Sequence, residues 1–174
     1  GYTASDGILL QTTSGSGGAL RVYIGGGSSA NYLSDSSTPI IDTWYHYAVV
    51  RSSGTVTIYR DGVSVGSKTL AADIGTPAYL IPAIGAKAHT TPTQHELNGY
   101  MDEIRITKGV ALWTQNFTPP ARRDTLSISD GMMYNGTCLD FDGTDDQVNI
   151  PSSSVFDLTG SFTWSFWANA TTTT

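Results

Sequence analysis

WYHYAVVRSSGTVTIYRDGVSVGS, residues Trp44 to Ser67, decides the fold class. Trp44 to Arg51 is dense in aromatic and β-branched residues, a composition that suits a pleated, half-buried surface. Ser52-Ser53-Gly54 follows as a short loop. Thr55 to Arg60 then alternates strictly, with Val56 and Ile58 on one face and Thr57 and Tyr59 on the other. That period of two is the signature of a strand. Asp61-Gly62 is the sharpest turn signal in the chain, because a two-residue hairpin needs positive φ at both central residues. Val63 and Val65 alternate out of the turn. The stretch predicts successive antiparallel strands joined by tight hairpins.

The same reading extends outward. Gly7 to Leu10 and Ala19 to Ile24 are predicted strands on either side of a Ser/Gly turn, Thr12 to Gly18. Ala78 to Ile84 is another, with Pro82 confining part of it to an edge or bulge. Tyr100 to Thr107 follows. Leu139 to Ile150 is predicted as a hairpin with Asp142-Gly143-Thr144-Asp145 at its tip. Ser161 to Ala168 puts Phe162, Trp164 and Phe166 on one face and Trp167 on the other. No stretch holds a 3.6-residue apolar period over a normal helix length, and Val110 to Thr114 suffices for a single turn. Many short strands with Gly, Ser and Asp turns predict an all-β, antiparallel two-sheet jelly-roll sandwich.

Composition agrees. The chain has 174 residues, one domain's worth, and 14% charged residues, well below the roughly 25% of soluble domains. A net charge of -6 disfavours nucleic acid, whose phosphates need clustered Lys and Arg. No apolar run approaches the roughly 18 residues of a membrane span. No basic-then-apolar signal segment stands at Gly1, and no initiator Met, which predicts a processed product or a piece of something longer. Cys138 is alone, so no internal disulfide forms, and it is predicted as a small buried apolar residue.

Residues Trp44 to Ser67, LNGYMDEIRITKGVALWTQNFTPP (Leu97 to Pro120) and CLDFDGTDDQVNIPSSSVFDLTGSFTWSFWA (Cys138 to Ala168) resemble a laminin-G-like domain of the concanavalin A-like lectin/glucanase superfamily. The last of these resembles the family's opening strands, yet it stands at the C-terminal end. The resemblance therefore implies a main body over residues 1–120, a linker over 121–137, and opening strands over 138–174. Those strands belong either to the same sandwich, as in a circular permutant, or to a neighbouring one, as in a cut tandem array or a truncated chain. Complementarity predicts that Cys138 to Ala168 packs with Gly1 to Pro120, since the main body alone would expose long strand edges.

Acidic residues gather at Asp140, Asp142, Asp145 and Asp146, and at Asp102-Glu103. Oxygen ligands on a Gly turn suit Ca²⁺. The resemblance implies one structural Ca²⁺ between the opening hairpin and the last strand, with Asp102 as ligand and Asp142 and the Gly143 region beside it. The alternative is that these aspartates cap turns. The superfamily's glucanases carry a pattern near E-x-D-x-x-E, and none is present. Glu96 and Glu103 are the only glutamates, and their spacing does not put both on one inward face, whereas glycoside hydrolysis needs paired carboxylates. A non-enzyme is expected, with a glycan hydrolase as the remote alternative. His46 lies mid-strand, while His89 and His95 flank a polar loop. GGGSS from Gly25 lacks the Lys and helix of a phosphate loop.

Trp44, Phe162, Trp164 and Phe166 alternate with polar neighbours and are predicted core. Tyr2, Tyr23, Tyr32, Tyr79 and Trp113 fall in or beside loops. Of these Tyr23, Tyr32 and Trp113 are the ligand candidates, since Tyr and Trp stack on the apolar faces of sugars. Asn116, Asn135 and Asn169 each begin an N-glycosylation pattern. The expected function is a non-catalytic recognition or adhesion module, extracellular, on a cell surface or on a virion, for a glycan or protein partner. The KGVALWTQNFTPP tail resembles those of phage and bacterial surface proteins. The alternative is a structural repeat subunit of a filament or of a capsid or tail decoration, linked to copies of itself by strand exchange.

Overall fold

The computed structural model describes residues 8–12, 19–24, 32–69, 83–85, 97–122, 138–144, 146–149, 158 and 160–171. Its elements are strands: β1 (Ile8–Thr12), β2 (Leu20–Ile24), β3 (Tyr32–Ser34), β4 (Tyr45–Ser52), β5 (Thr55–Arg60), β6 (Val63–Thr69), β7 (Ala83–Ile84), β8 (Asn98–Lys108), β9 (Leu139–Asp142), β10 (Val148–Asn149) and β11 (Phe162–Ala170). They form a three-stranded sheet β1-β2-β3, a six-stranded sheet β6-β5-β4-β11-β8-β9 and a β10-β7 pair, and every ladder is antiparallel.

The stretch from Trp44 to Ser67 folds as its turn chemistry dictates. Ser53 and Gly54 (φ 47° and 79°) close β4 onto β5, and Asp61 and Gly62 (φ 50° and 77°) close β5 onto β6. Paired positive φ values match the twist of the flanking strands. Asp61 locks its turn back onto β4: its N–H donates to the His46 carbonyl at 2.8 Å, and its Oδ1 accepts the His46 N–H at 2.9 Å.

β11 lies in the middle of the large sheet. Phe162 pairs Arg51 of β4 on one side and Lys108 of β8 on the other. A bulge in β8 leaves Glu103 and Ile104 between the Ser165–Arg105 and Trp167–Asp102 pairs. Glu103 takes φ 49° there, and Asp102 Oδ1 accepts its N–H at 2.8 Å, a local bond that steadies the extra residue. β9 flanks the far side of β8.

Alternation builds the core. Leu20, Val22 and Leu33 of the small sheet meet Tyr47, Val49, Val56, Ile58, Phe162 and Phe166 of the large one. A buried ion pair ties the rim: Arg60 Nη1 lies 3.0 Å from Asp35 Oδ2, and Asp35 Oδ1 accepts the Ser37 N–H at 2.9 Å. A second, smaller cluster covers the opposite face of the large sheet. Ala48, Val50 and Tyr59 lie under Ala111, Trp113 and Phe117.

Residues 109–118 make that cover as an extended strap, not the single helical turn expected at Val110 to Thr114. Thr163 explains the difference. Its hydroxyl accepts the Leu112 N–H at 2.8 Å and donates to the Val110 carbonyl at 3.0 Å, taking the backbone groups a turn would have paired. The expected Leu139–Ile150 hairpin is also absent: β9 joins β8 and β10 joins β7, so the two arms enter different sheets. Cys138 is partly exposed, not buried. Trp44 is not core. It lies on the outer face, with the Arg122 guanidinium 3.9 Å from its ring centre. The predicted strand from Ala78 is described only at β7. Tyr2, Tyr79, His89, His95, Glu96, Asp145, Asn135 and the GGGSS run fall outside the described residues.

Candidate functional site

Two of the ligand candidates come together. Leu20 and Val22 face the core from β2, and Leu33 does so from β3. Strand alternation therefore sends Arg21, Tyr23, Tyr32 and Ser34 to the outer face of the small sheet. Tyr23 pairs Tyr32 across the ladder, with ring centres 5.5 Å apart. Arg21 joins them. Its guanidinium stands 4.5 Å from the Tyr32 ring centre, its Nη1 donates to the Tyr23 hydroxyl at 3.1 Å, and its Nε donates to Ser34 Oγ at 3.0 Å.

Lys68 arrives from the edge of the other sheet. Its Nζ donates to the Tyr32 carbonyl at 3.2 Å and lies 5.8 Å from the Tyr32 ring centre. Gly66 permits this approach. A Cβ there would sit 3.1 Å from the Ser34 carbonyl oxygen and 3.2 Å from Leu33 Cδ1, so the missing side chain lets β3 close on β6. The face thus joins a planar guanidinium, an ammonium, two phenols and a hydroxyl. Guanidinium and ammonium groups attract anions, and a guanidinium binds carboxylate or sulfate in a two-pronged fashion. Arg21, Ser34 and Lys68 were not among the residues singled out in the sequence. The alternation in ALRVYI carries a signal for Arg21, which shares the outer face with Tyr23.

Trp113 belongs elsewhere. It stacks on Phe117 at 4.0 Å with 5° between the rings, as part of the strap, and meets the edge of His46. His46 is buried at 2% exposure. Burial lowers its pKa below the usual 6.5, and the Asp61 carboxylate pulls the other way.

The calcium ligands implied by the resemblance do not assemble. Asp142 pairs Asn98, at the opposite end of the β8–β9 ladder from Met101. Asp102 is four residues beyond Asn98 along β8, about 13 Å at the rise of a strand. Ca²⁺ holds its oxygens at roughly 2.3–2.6 Å, so one ion cannot span Asp102 and the Asp142–Gly143 turn. The carboxylates have other partners. Asp102 Oδ2 lies 3.5 Å from Arg122 Nη1, Asp142 Oδ1 accepts the Thr144 N–H at 2.8 Å, and Asp146 Oδ2 accepts the Asp142 N–H at 3.0 Å. Gly143 abuts Asn98. Among the described residues, no group of three His, Cys, Asp or Glu side chains is placed to hold a metal. The set does not fit a single Ca²⁺ site, and its aspartates act as turn caps and a salt-bridge partner.

No helix among the described residues is long and apolar enough to cross a membrane. No curated protein and no solved structure matches the chain. A laminin-G-type family model does, over residues 2–115. The match takes in the hairpins of Trp44 to Ser67, β8 and most of the strap, and with it the chain belongs to this laminin-G-type family of the concanavalin A-like lectin/glucanases superfamily.

Proposed function

We propose that the chain is a non-catalytic recognition module that binds an acidic glycan, one bearing carboxylate or sulfate groups, on the outer face of the three-stranded sheet. The family supports a carbohydrate-binding or adhesion-type module. The observation that carries the finer reading is the Arg21 guanidinium, held over Tyr32 and bonded to Tyr23 and Ser34, with Lys68 beside it. These cations stand together on a chain whose net charge is -6. In this reading Arg21 and Lys68 pair with the anionic groups, while Tyr23 and Tyr32 offer ring surface to the sugar and Tyr23 a hydroxyl. The setting is extracellular, on a cell surface or a virion.

Calorimetric titration with a sulfated or uronate polysaccharide, against neutral dextran, tests this. A charge-assisted hydrogen bond contributes about 1.5–3 kcal/mol, so Arg21→Ala is expected to weaken binding about 10- to 100-fold. Binding should also fall steeply with added salt. Equal affinity for the neutral and acidic polymers would refute the reading.

A second reading has one observation in its favour. β9 and β11 straddle β8, yet they come from a distal segment. Supplied by another copy, that segment would link subunits into a filament or a capsid or tail decoration by strand exchange. Supplied by the same chain, it completes one permuted sandwich.

A further inference from the structure

We propose that residues 109–118 form a pH-sensitive strap, held on the outer face of the large sheet while His46 is neutral and released when that imidazole takes a proton. The geometry starts with the ring itself. His46 is 2% exposed and sits in a box of aromatic rings. Phe117 and Trp113 meet it at 5.8 Å and 5.9 Å from the strap, and Trp167 meets it at 5.3 Å from β11. Its Nδ1 is buried with no hydrogen-bond partner.

Among the described residues, the groups around it are few. From the β5–β6 turn comes Asp61, whose Oδ1 already accepts the His46 backbone N–H. β5 contributes the Tyr59 phenol, packed against Phe117. From β11 come Ser165 and Trp167, and from the strap only the rings of Trp113 and Phe117. Asp102 of β8 lies beyond Trp167, paired with Arg122. A proton added at Nδ1 would be desolvated and, among the described residues, without an acceptor.

Two ways exist to hydrate it. Dissolving β4 would break ladders to both β5 and β11. Lifting the strap breaks its own anchors instead, which among the described residues are Gly109 N–H to the Ser161 carbonyl at 2.8 Å, Phe117 N–H to the Gly62 carbonyl at 2.9 Å, Ser64 N–H to Asn116 Oδ1 at 3.0 Å, and the two bonds of Thr163. The strap is therefore the element that yields, and acid uncovers Ala48, Val50 and Tyr59.

The sign follows from linkage. With the strap open, His46 is exposed and titrates near 6.5; closed, it titrates lower. The opening constant is thus flat above pH 6.5. Below it the constant rises about tenfold per pH unit, until His46 protonates in the closed form as well.

Hydrogen exchange on the full chain between pH 5 and 8, corrected for intrinsic chemistry, tests this at the Leu112 and Phe117 amides. The Val49 and Ile58 amides serve as the core reference. The expected result is the tenfold-per-unit slope at the strap, no such slope in the core, and its loss in His46→Phe. Where that variant does not fold, the imidazole titration of the unaltered chain decides, with a midpoint below 6.5 expected. A midpoint above 6.5, as cation–π attraction from the surrounding rings would produce, overturns the proposal. So do pH-independent strap exchange, a slope retained in His46→Phe, and core amides that open with the strap.

Discussion

Gly62→Ala, set beside Gly54→Ala, isolates the docking of the strap. Both glycines close hairpins of the same sheet with nearly the same backbone, φ 77° and 79°. An alanine in this left-handed region costs about 1–2 kcal/mol at either position. Their surroundings differ. A Cβ on Gly54 would meet nothing within 4 Å, whereas one on Gly62 would lie 1.8 Å from the Phe117 carbonyl oxygen and 2.8 Å from its carbon. That oxygen belongs to backbone, so the strap itself must move. Lifting it forfeits the bond from Phe117 N–H to the Gly62 carbonyl, about 1 kcal/mol. It also forfeits part of the burial of the Phe117 ring, for which the whole is worth about 1.5–3 kcal/mol. The expected losses are about 4 kcal/mol for Gly62→Ala and about 1–2 kcal/mol for Gly54→Ala. At this length each kcal/mol moves Tm by about 2–4 °C, so Gly62→Ala should melt roughly 10 °C lower and Gly54→Ala roughly 4 °C lower. Urea unfolding followed by tryptophan fluorescence measures both. Costs within about 0.5 kcal/mol of each other, the scatter of ordinary surface changes, would refute the placement of Phe117 over the turn.

Tyr47 is predicted to ionise late. Burial pushes its phenol up to about 12, Arg60 opposing and Asp35 assisting, and burial raises Tyr59 as well, so an ultraviolet titration should show late-ionising phenols, of which Tyr47→Phe removes one. The folded pKa is raised, so the stability this group contributes is intact below pH 10 and is lost as pH climbs from 10 toward 12. Tyr100 and Asn169 are direct partners across β8 and β11, at a spacing a disulfide accepts. In a Cys138→Ser background, Tyr100→Cys with Asn169→Cys is expected to form that bond within one chain on a non-reducing gel. Covalent dimers would show strand exchange instead.

Legibility in the sequence tracked locality. Asp61-Gly62 and Ser53-Gly54 signal their turns through backbone chemistry within two residues, and Phe162 and Trp167 reveal opposite faces through period two. Both readings need only neighbours in the chain. β3 escaped because three residues carry no period. The Leu139–Ile150 segment shows a turn but not which strand each arm meets, and the arms part to different sheets. Asp102 and Asp142 are visible as carboxylates, but their separation depends on register, which sets Asp142 against Asn98. Trp113 looks like a loop aromatic until Thr163, far along the chain, holds the strap through the backbone of Val110 and Leu112. Lys68 reaches Tyr32 only because the two sheets meet at Gly66.

The outer faces of the two sheets differ in a way that favours the smaller one for the proposed recognition. Both sheets bury alternate residues inward by the same rule, so their outer faces are where sequence is free to differ. The large sheet presents Ala48, Val50 and Tyr59 outward, and leaving them wet would cost stability, so the chain folds Trp113 and Phe117 over them. Aromatic side chains spent in this way are unavailable to a ligand. The small sheet presents Arg21, Tyr23, Tyr32 and Ser34, groups that satisfy one another through hydrogen bonds and ring contacts and need no cover. Arg21, with Lys68 reaching in from the neighbouring sheet, sets two cations around Tyr32 on a chain of net charge -6, a local field that would attract an anionic ligand. A neutral ligand would gain nothing from that arrangement, so under the proposed function this clustering of charge, more than the presence of tyrosines, would favour an acidic glycan over a neutral one.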